Sequence, residues 1–320
     1  MFVLRASVTV ALVAYVYSEI DIAQLAHRLT GAKEVWVAAT LLILATQIVL
    51  AALRWQRVIC TLHDRIGIRR SLRYTWEGAF FSQMLPSAIG GDVVRVWRIH
   101  KAGVPGQVAA SSVLLDRVSA LVSVIATVFM ILPVLISVVR IPHFGSGVIA
   151  LVLVGLGGLV AFLLMDRLVR LPTTWAATQL IHRLAMDARK LLLRPASAVV
   201  VVGYSFLILG LSALALFLLG VSLGIPLGWK ESLVFTPLII LITTLPISMA
   251  GWGVREFGMA AMLGHVGIQA TDAVALSVAF GLAIVAASLP GGVLWLVKPE
   301  PRTEGTRVQF DANSDLGGRP

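Results

Sequence analysis

The sequence predicts an all-α integral membrane protein with six spanning helices and two re-entrant hairpins arranged as an inverted repeat. Three observations lead to this fold class. The 320 residues are 58% apolar and only 13% charged, whereas about a quarter of a soluble domain is charged. Several apolar runs are long enough to cross a bilayer, and one motif containing proline and glycine occurs twice, 160 residues apart.

The apolar runs define the spanning helices, because a helix needs about 20 mostly apolar residues to cross the hydrocarbon core. The first run could also be a signal peptide. Residues 15–19 lack a small-residue cleavage site, which favours an uncleaved span. The predicted spans are residues 2–18, 35–53, 107–138, 147–165, 196–221 and 271–297.

Lysine and arginine are concentrated in alternate connections between these spans. They cluster at residues 54–73, 95–101 and 167–194 and in the tail after 297, while the other connections hold few of them. The positive-inside rule then places both termini in the cytoplasm, as in a multi-pass protein of the plasma (inner) membrane. The net charge of +10 is thus explained by topology and by attraction to anionic lipid, without nucleic acid.

The chain divides into a membrane domain and a tail. Residues 1–298 form one polytopic domain, with repeat one at about 1–140 and repeat two at about 145–298, and residues 299–320 form a disordered cytoplasmic tail. Cys60 is the single cysteine, so no disulfide framework is expected.

The first hairpin is predicted between the second and third spans. Residues 74–85 make about 18 Å of helix, too short for a core of about 30 Å. Arginines flank the segment on both sides, so we expect the chain to enter from the cytoplasm, turn and return. Broken backbone in a membrane must be buried in protein or line a wet cavity. The break therefore predicts a cavity.

The same pattern returns in the second half, where LPISMAGWGVR (245–255) matches LPSAIGGDVVR (85–95). Each half then has three crossings and one hairpin, so the halves have opposite orientations. Inverted repeats with broken helices in corresponding places are common in secondary transporters, and the breaks point to the binding site. The second hairpin is expected at about 232–264, and the predicted break residues are Pro86, Gly90, Gly91, Pro246, Gly251 and Gly253.

Charged residues beside the breaks are the candidate substrate-binding residues. Asp92 and Arg95 follow the first pair of glycines and share a helix face if the helix begins at Gly91. Arg95 could hold a lipid phosphate that Asp92 orients, or the two could be a helix cap and an interfacial anchor. Arg255 and Glu256 follow the second break, and Arg255 occupies the place of Arg95. They could bind substrate or form an internal salt bridge.

Asp116 and Arg117 lie about 15 Å along the third span. Ionisable residues inside a membrane usually face a bundle interior or a cavity. Neighbours in a helix point about 100° apart, so each is expected to pair elsewhere. Asp116 could pair with Arg95 or Arg255, and Arg117 with Asp92 or Glu256. A structural ion pair is the alternative to substrate binding.

Two further groups receive plainer interpretations. Arg54, Trp55 and Arg57 end the second span, where an interfacial anchor explains them, with headgroup contact as the alternative. Residues 173–194 fit an amphipathic helix on the inner leaflet. The six histidines are scattered without ligand spacing, so neither a metal nor another cofactor is expected.

Four segments also resemble the lysylphosphatidylglycerol synthase transmembrane-domain, or flippase-like, family. The resemblance covers the chain to about Lys298, and its more specific marks are GGD-x-x-R (90–95) and G-x-G-x-R-E (251–256). It implies the handling of a membrane lipid, such as an aminoacylated phosphatidylglycerol, a polyprenyl-phosphate sugar or a hopanoid. No appended transferase domain is expected. The segments are LRWQRVI (53–59), FFSQMLPSAIGGDVVRVWRIHKAG (80–103), VLLDRVSALV (113–122) and LPISMAGWGVREFG (245–258).

Three functions remain open from the sequence. The first is a transporter that moves an anionic phospholipid or a polyprenyl-phosphate-type lipid between leaflets, without enzymatic activity. The second is an accessory membrane subunit of a lipid or glycan assembly pathway. The third, a lipid-modifying enzyme, lacks any recognisable phosphatase, transferase or metal motif. A membrane lipid with an anionic headgroup is the expected partner, and a homo-oligomer or a separate lipid-synthesising enzyme are further alternatives.

Overall fold

The computed structural model describes residues 21–62, 66–85, 89–138, 184–191, 195–244 and 251–297, with scattered positions in 7–18 and 149–161. Throughout these residues the secondary structure is helical, without a strand. Residues 184–191 form a short helical segment. The longer helices are α1 (Ile22–Thr30), α2 (Glu34–Leu62), α3 (Ile68–Met84), α4 (Gly90–Lys101), α5 (Gly106–Val138), α6 (Pro195–Ser222), α7 (Trp229–Thr244), α8 (Val254–Gly264) and α9 (Ala270–Val297).

Four of the described helices are long and apolar enough to cross a membrane. They are Glu34–Leu62, Gly106–Ile136, Ser197–Ser222 and Ala270–Val297, in agreement with four of the six predicted spans. The protein is therefore a multi-pass membrane protein. Most of predicted spans 2–18 and 147–165, and all of tail 299–320, lie outside the described residues.

The first predicted hairpin is a pair of packed helices, and its first helix begins earlier than predicted. Helix α3 has 17 residues, which is about 25 Å, and starts at Ile68 rather than at 74. Arginine is a good helix former, so Arg69, Arg70 and Arg73 extend the helix. Extended backbone at Leu85 ends α3. Helix α4 then begins at Gly90, with Asp92 in its first turn, where the helix dipole favours an acid.

The order of helices in the first half is repeated in the second. A short helix, a long helix, a medium helix, a break, a short helix and a long helix follow one another in both. Helices α2 and α6 begin 161 residues apart, as do α3 and α7. A hydrogen bond repeats at the same separation: Ser71 Oγ donates to Ala52 O (2.7 Å), and Ser232 Oγ donates to Ala213 O (2.6 Å).

The equivalent long helices α2 and α6 pack against each other in antiparallel directions. Contacts that progress forward along α2 progress backward along α6. Lys33 N donates to Ser222 O (3.1 Å) beside the start of α2. Farther along, Ser212 Oγ lies 3.3 Å from Gln47 Oε1, and Arg54 Nη1 lies 3.0 Å from Ser205 Oγ.

Candidate functional site

A cavity of about 330 Å³ lies between helices from both halves. One part of its wall is largely apolar and is formed by α2, α6, α7 and α9. The other part is polar and is formed by α2, α3, α4 and α5, which among the described residues contribute five charged side chains. The charged residues are Arg54, Asp92, Arg95, Asp116 and Arg117.

Asp116 holds two arginines at the centre of this charged group. Arg54 Nε donates to Asp116 Oδ1 at 2.8 Å, and Arg95 Nη2 donates to Asp116 Oδ2 at 3.1 Å. All three side chains are buried. Of the partners predicted for Asp116, Arg95 is confirmed. The carboxylate ties helices α2, α4 and α5 together at one point.

Asp92 and Arg117 form a second, bidentate pair. Arg117 Nε and Nη2 donate to the two oxygens of Asp92 at 2.8 and 3.0 Å. This pairing joins α4 to α5 and is one of the two partners predicted for Arg117. The Arg117 side chain is 55% exposed while that of Asp92 is 13% exposed. Arg117 can therefore be reached from outside the cavity without breaking the buried pairs.

Arg95 is fixed by packing as well as by charge. Its guanidinium carbon lies 4.3 Å from the ring centroid of Trp55, a cation–π contact. A Cβ at Gly78 would collide with the Arg95 side chain, and one at Gly91 would collide with the Gly78 carbonyl. The glycines therefore allow α3 and α4 to approach closely enough to seat Arg95 beside the cavity.

Several donors at the cavity have no acceptor. Four buried side-chain polar atoms in the described part of the chain lack a hydrogen-bond partner: Gln47 Nε2, Thr75 Oγ1, Arg95 Nε and Thr236 Oγ1. The first three belong to residues that line the cavity. Because most buried polar groups are paired, such a concentration needs an explanation.

Arg255 and Glu256 do not line this cavity, so the prediction that all six candidates converge on one cavity is wrong for these two. They form a buried pair of their own, with Arg255 Nη2 2.9 Å from Glu256 Oε1. Ser277 Oγ bonds to both residues. The physical reason is local satisfaction: Glu256 also accepts from the N–H of Gly253, so the group is closed. This geometry matches the internal salt bridge that the sequence left as an alternative.

The four described break residues lie at or just before the start of a helix. Gly90 and Gly91 open α4. Gly251 and Gly253 have φ values of 80° and 83°, which favour glycine. Pro86 and Pro246 lie outside the described residues.

Sequence reasoning missed the role of Arg54. It was assigned to the interface because the second span was ended at residue 53. Helix α2 continues to Leu62, so Arg54 lies eight residues before its end and is 8% exposed. Its neighbour Trp55 is fully buried as well. A longer helix would have identified Arg54 as an intramembrane charge, which usually faces a cavity.

Another buried charge group lies on α3 and α4. Glu77 accepts from Arg98 Nε (2.6 Å) and Nη2 (3.1 Å), and from Arg73 Nε (2.9 Å). The Arg98 guanidinium also lies 4.2 Å from the ring centroid of Trp295 on α9. These contacts hold the first hairpin to the last helix, and none of these residues lines the cavity.

No group of three or more metal-binding side chains occurs among the residues that the structure describes. The described part of the predicted 173–194 helix is the segment 184–191, which is helical, and its Ala188 and Leu191 pack against Val58, Leu115 and Val201.

The sequence model of the family described as "Lysylphosphatidylglycerol synthase TM region" matches residues 2–291. Because that match covers most of the chain, the protein belongs to this family, and the resemblance found in its motifs is confirmed. None of the curated proteins matches the chain.

Proposed function

We propose that this member of the lysylphosphatidylglycerol synthase TM region family moves an anionic membrane lipid between the leaflets of the plasma membrane. The family membership supports a lipid-related role at the membrane. The observation that carries the proposal is the cavity, where Gln47, Thr75 and Arg95 present unpaired donors beside two buried ion pairs. A headgroup phosphate or a similar anion would accept from these donors.

The surface around Arg117 suits a ligand that keeps its tails in the bilayer. Leu114 and Leu121 are 42% and 38% exposed and share a helix face with Arg117. On α4, Val93 is exposed beside Asp92. An apolar surface therefore borders the exposed end of the Asp92–Arg117 pair. A headgroup could enter here while its acyl or prenyl chains remain among the lipids.

The topology belongs to the same proposal. We place both termini in the cytoplasm, with six spans and two re-entrant hairpins in an inverted repeat. Antiparallel packing of α2 and α6 supports opposite orientations of the halves. Helices α3 and α7 have 17 and 16 residues, which is about 25 Å and short of a core of about 30 Å. Rocking of one half against the other would expose the cavity to each leaflet in turn.

We assign no enzymatic step to the site. The two cavity carboxylates are engaged by arginines, at 2.8 and 3.1 Å for Asp116 and at 2.8 and 3.0 Å for Asp92. A general base or nucleophile needs an oxygen that can reach the reacting atom. In the arrangement described here, the carboxylates position arginines instead.

The test is leaflet exchange of fluorescent phosphatidylglycerol in vesicles that contain only the purified protein. The wild type should accelerate exchange. Arg95→Gln should abolish most of the acceleration, because a charge-assisted hydrogen bond in a partly dry cavity contributes about 1.5–3 kcal/mol. Arg95→Lys should restore part of it, since ammonium lacks the planar fork.

Arg255→Gln is the matched control, because it removes the arginine that matches Arg95 in the repeated sequence motif and lies outside the cavity lining. Per folded molecule, its exchange rate should equal that of the wild type. An inert wild type would favour the accessory subunit over the transporter, and normal exchange by folded Arg95→Gln would remove Arg95 from the binding site.

A further inference from the structure

The charges at the cavity leave one cation in surplus. Among the lining residues that the structure describes, three arginines face two aspartates, so the formal net charge is +1. Arg54 and Arg117 hold the short contacts to Asp116 and Asp92, at 2.8 Å each. Arg95 shares these same carboxylates at 3.1 and 3.5 Å. The surplus charge is therefore concentrated on Arg95.

The same residue carries an unpaired donor. Arg95 Nε is buried without an acceptor, and Gln47 Nε2 and Thr75 Oγ1 on the cavity wall are in the same state. The Gln47 amide lies 3.3 Å from the Ser212 hydroxyl, which also donates to Ile208 O at 2.9 Å. The excess positive charge and the unpaired hydrogen-bond donors thus occur together, and an anion is a suitable partner for both.

The number of negative charges that fit is limited. A net charge in a low-dielectric cavity is costly whatever its sign. One negative charge would neutralise the group. A second would leave an excess negative charge, and the described part of the lining holds no further cation to balance it.

We infer that the cavity selects a headgroup with a single negative charge, a phosphodiester, over a phosphomonoester with two. This inference rests on the proposed function and narrows its substrate class. The two non-bridging oxygens of a phosphodiester share one negative charge and can accept hydrogen bonds from donors such as those that Gln47, Thr75 and Arg95 carry. A terminal phosphomonoester, whose second pKa is about 6, carries close to two charges at neutral and higher pH.

The test is calorimetric titration of the purified full-length protein at pH 8 with two short-chain lipids. Dihexanoyl phosphatidylglycerol carries one negative charge, and dihexanoyl phosphatidic acid carries close to two. The wild type should bind the diester about tenfold more tightly, which corresponds to about 1.4 kcal/mol. The second charge of the monoester has no counter-charge in the cavity, and charge interactions at an effective dielectric constant near 20 are at least of this size. Equal affinities, or tighter binding of the monoester, would overturn the inference.

Two cavity variants should move this preference in opposite directions. Asp92→Asn raises the cavity charge to two, so the preference should shift towards phosphatidic acid. Arg117→Gln lowers the cavity charge to zero, so the monoester should lose more affinity than the diester and the preference should grow. Asp187→Asn is the matched control, because it removes one acid that pairs with exposed Lys190 and should leave the ratio unchanged.

The outcomes separate this inference from the transport proposal. If both cavity variants change the two affinities by one common factor, the charge rule is wrong even when the lipids are still exchanged. If one variant fails to fold, the other still gives the sign of the change. Dimethyl phosphate supplies the same anion without tails and should bind more weakly than the lipid. Equal binding of dimethyl phosphate, with the diester preference intact, would keep the charge rule and reject the lipid as the ligand.

Discussion

The two halves of the molecule repeat one helix order but fill its centre differently. In the first half, Arg54, Asp116 and Arg95 meet at a cavity. At the repeat separation of 161, Arg54 corresponds to Ala215, which is buried among apolar side chains. The second half contributes most of a large apolar cluster around Phe235, Leu263 and Leu276. The repeat thus preserves the order of the helices, whereas the charged residues that line the cavity, among those the structure describes, all belong to the first half.

The arginines that follow the two breaks show how the chemistry of the halves differs although the order of helices is shared. Both breaks contain glycine and both are followed by an arginine, Arg95 and Arg255. Arg95 shares its carboxylates with two other arginines and keeps an unpaired Nε. Arg255 is satisfied by the adjacent Glu256 and by Ser277. A shared place in the sequence motif therefore does not imply a shared environment: Arg95 is the sixth residue of α4 and Arg255 the second residue of α8, so their neighbours differ.

The largest expected effect comes from neutralising the carboxylate that pairs with the buried arginines of each half, Asp116 in the first and Glu256 in the second. Asp116→Asn leaves Arg54 and Arg95 without their shared carboxylate, and Glu256→Gln does the same to Arg255. Removing one partner of a buried pair costs about 3–5 kcal/mol, because the other charge stays buried without its counter-charge. Both variants should melt at clearly lower temperature in detergent, as measured by tryptophan fluorescence.

Lipid binding should separate these two variants. Folded Asp116→Asn should also lose affinity for phosphatidylglycerol, because Arg95 is no longer held in place. Folded Glu256→Gln should keep it. If Glu256→Gln abolishes binding in protein that is still folded, the second half takes part in the site and the contrast between the halves fails.

A smaller effect is expected from filling the glycines at the two breaks. Gly91→Ala would place a Cβ against the Gly78 carbonyl and the Ser82 hydroxyl, and overpacking of this kind costs about 1–3 kcal/mol. At Gly251 an added Cβ would lie 3.5 Å from Thr243, an ordinary contact. Gly251→Ala should therefore lower stability only through the positive φ, by about 1–2 kcal/mol.

The two glycine variants should differ more in binding than in melting temperature. Gly91→Ala separates α4 from α3 and so displaces Asp92 and Arg95, and the affinity for phosphatidylglycerol should fall with stability. Gly251→Ala should melt earlier at unchanged affinity. Equal affinities in both variants would mean that close packing of α3 and α4 is not what positions Arg95.

The outline of the fold could be predicted because long apolar runs and the repeated break are local patterns. The apolar composition of residues 35–53 and 271–297 is enough to predict these two spans. The boundaries failed where charge and helix coincide: Arg54 and Arg69 were placed outside helices that in fact continue through them. Charges end a hydrophobic pattern, but they do not end a helix.

The site could be predicted only as far as residue type and helix spacing allow. Asp92 and Arg95 follow from charges beside a break, and Asp116 and Arg117 follow from charges inside a predicted span; two of their pairings were among the alternatives. Gln47 lies within an apolar run, and the surrounding sequence does not predict that it lines a cavity. Its role depends on Ser212, 165 residues later, a contact that only the folded chain creates.

The smallest effect tests the repeat itself, through the hydrogen bonds that Ser71 and Ser232 make at equivalent places. Each hydroxyl donates to a carbonyl 19 residues earlier, on the neighbouring long helix, at 2.7 and 2.6 Å. Ser71→Ala and Ser232→Ala should each lower stability by about 0.5–1.5 kcal/mol, and neither should change lipid affinity.

Thr46→Ala is the control, because the Thr46 hydroxyl bonds within its own helix, to Leu42 O, and is exposed. The two serine variants should melt at the same temperature, below both the wild type and the control. A serine variant that melts like the control while its mate does not would show that helix-to-helix packing is not equivalent in the two halves. The repeat would then describe the order of helices alone, and the opposite orientations of the halves would have to be argued from α2 and α6 only.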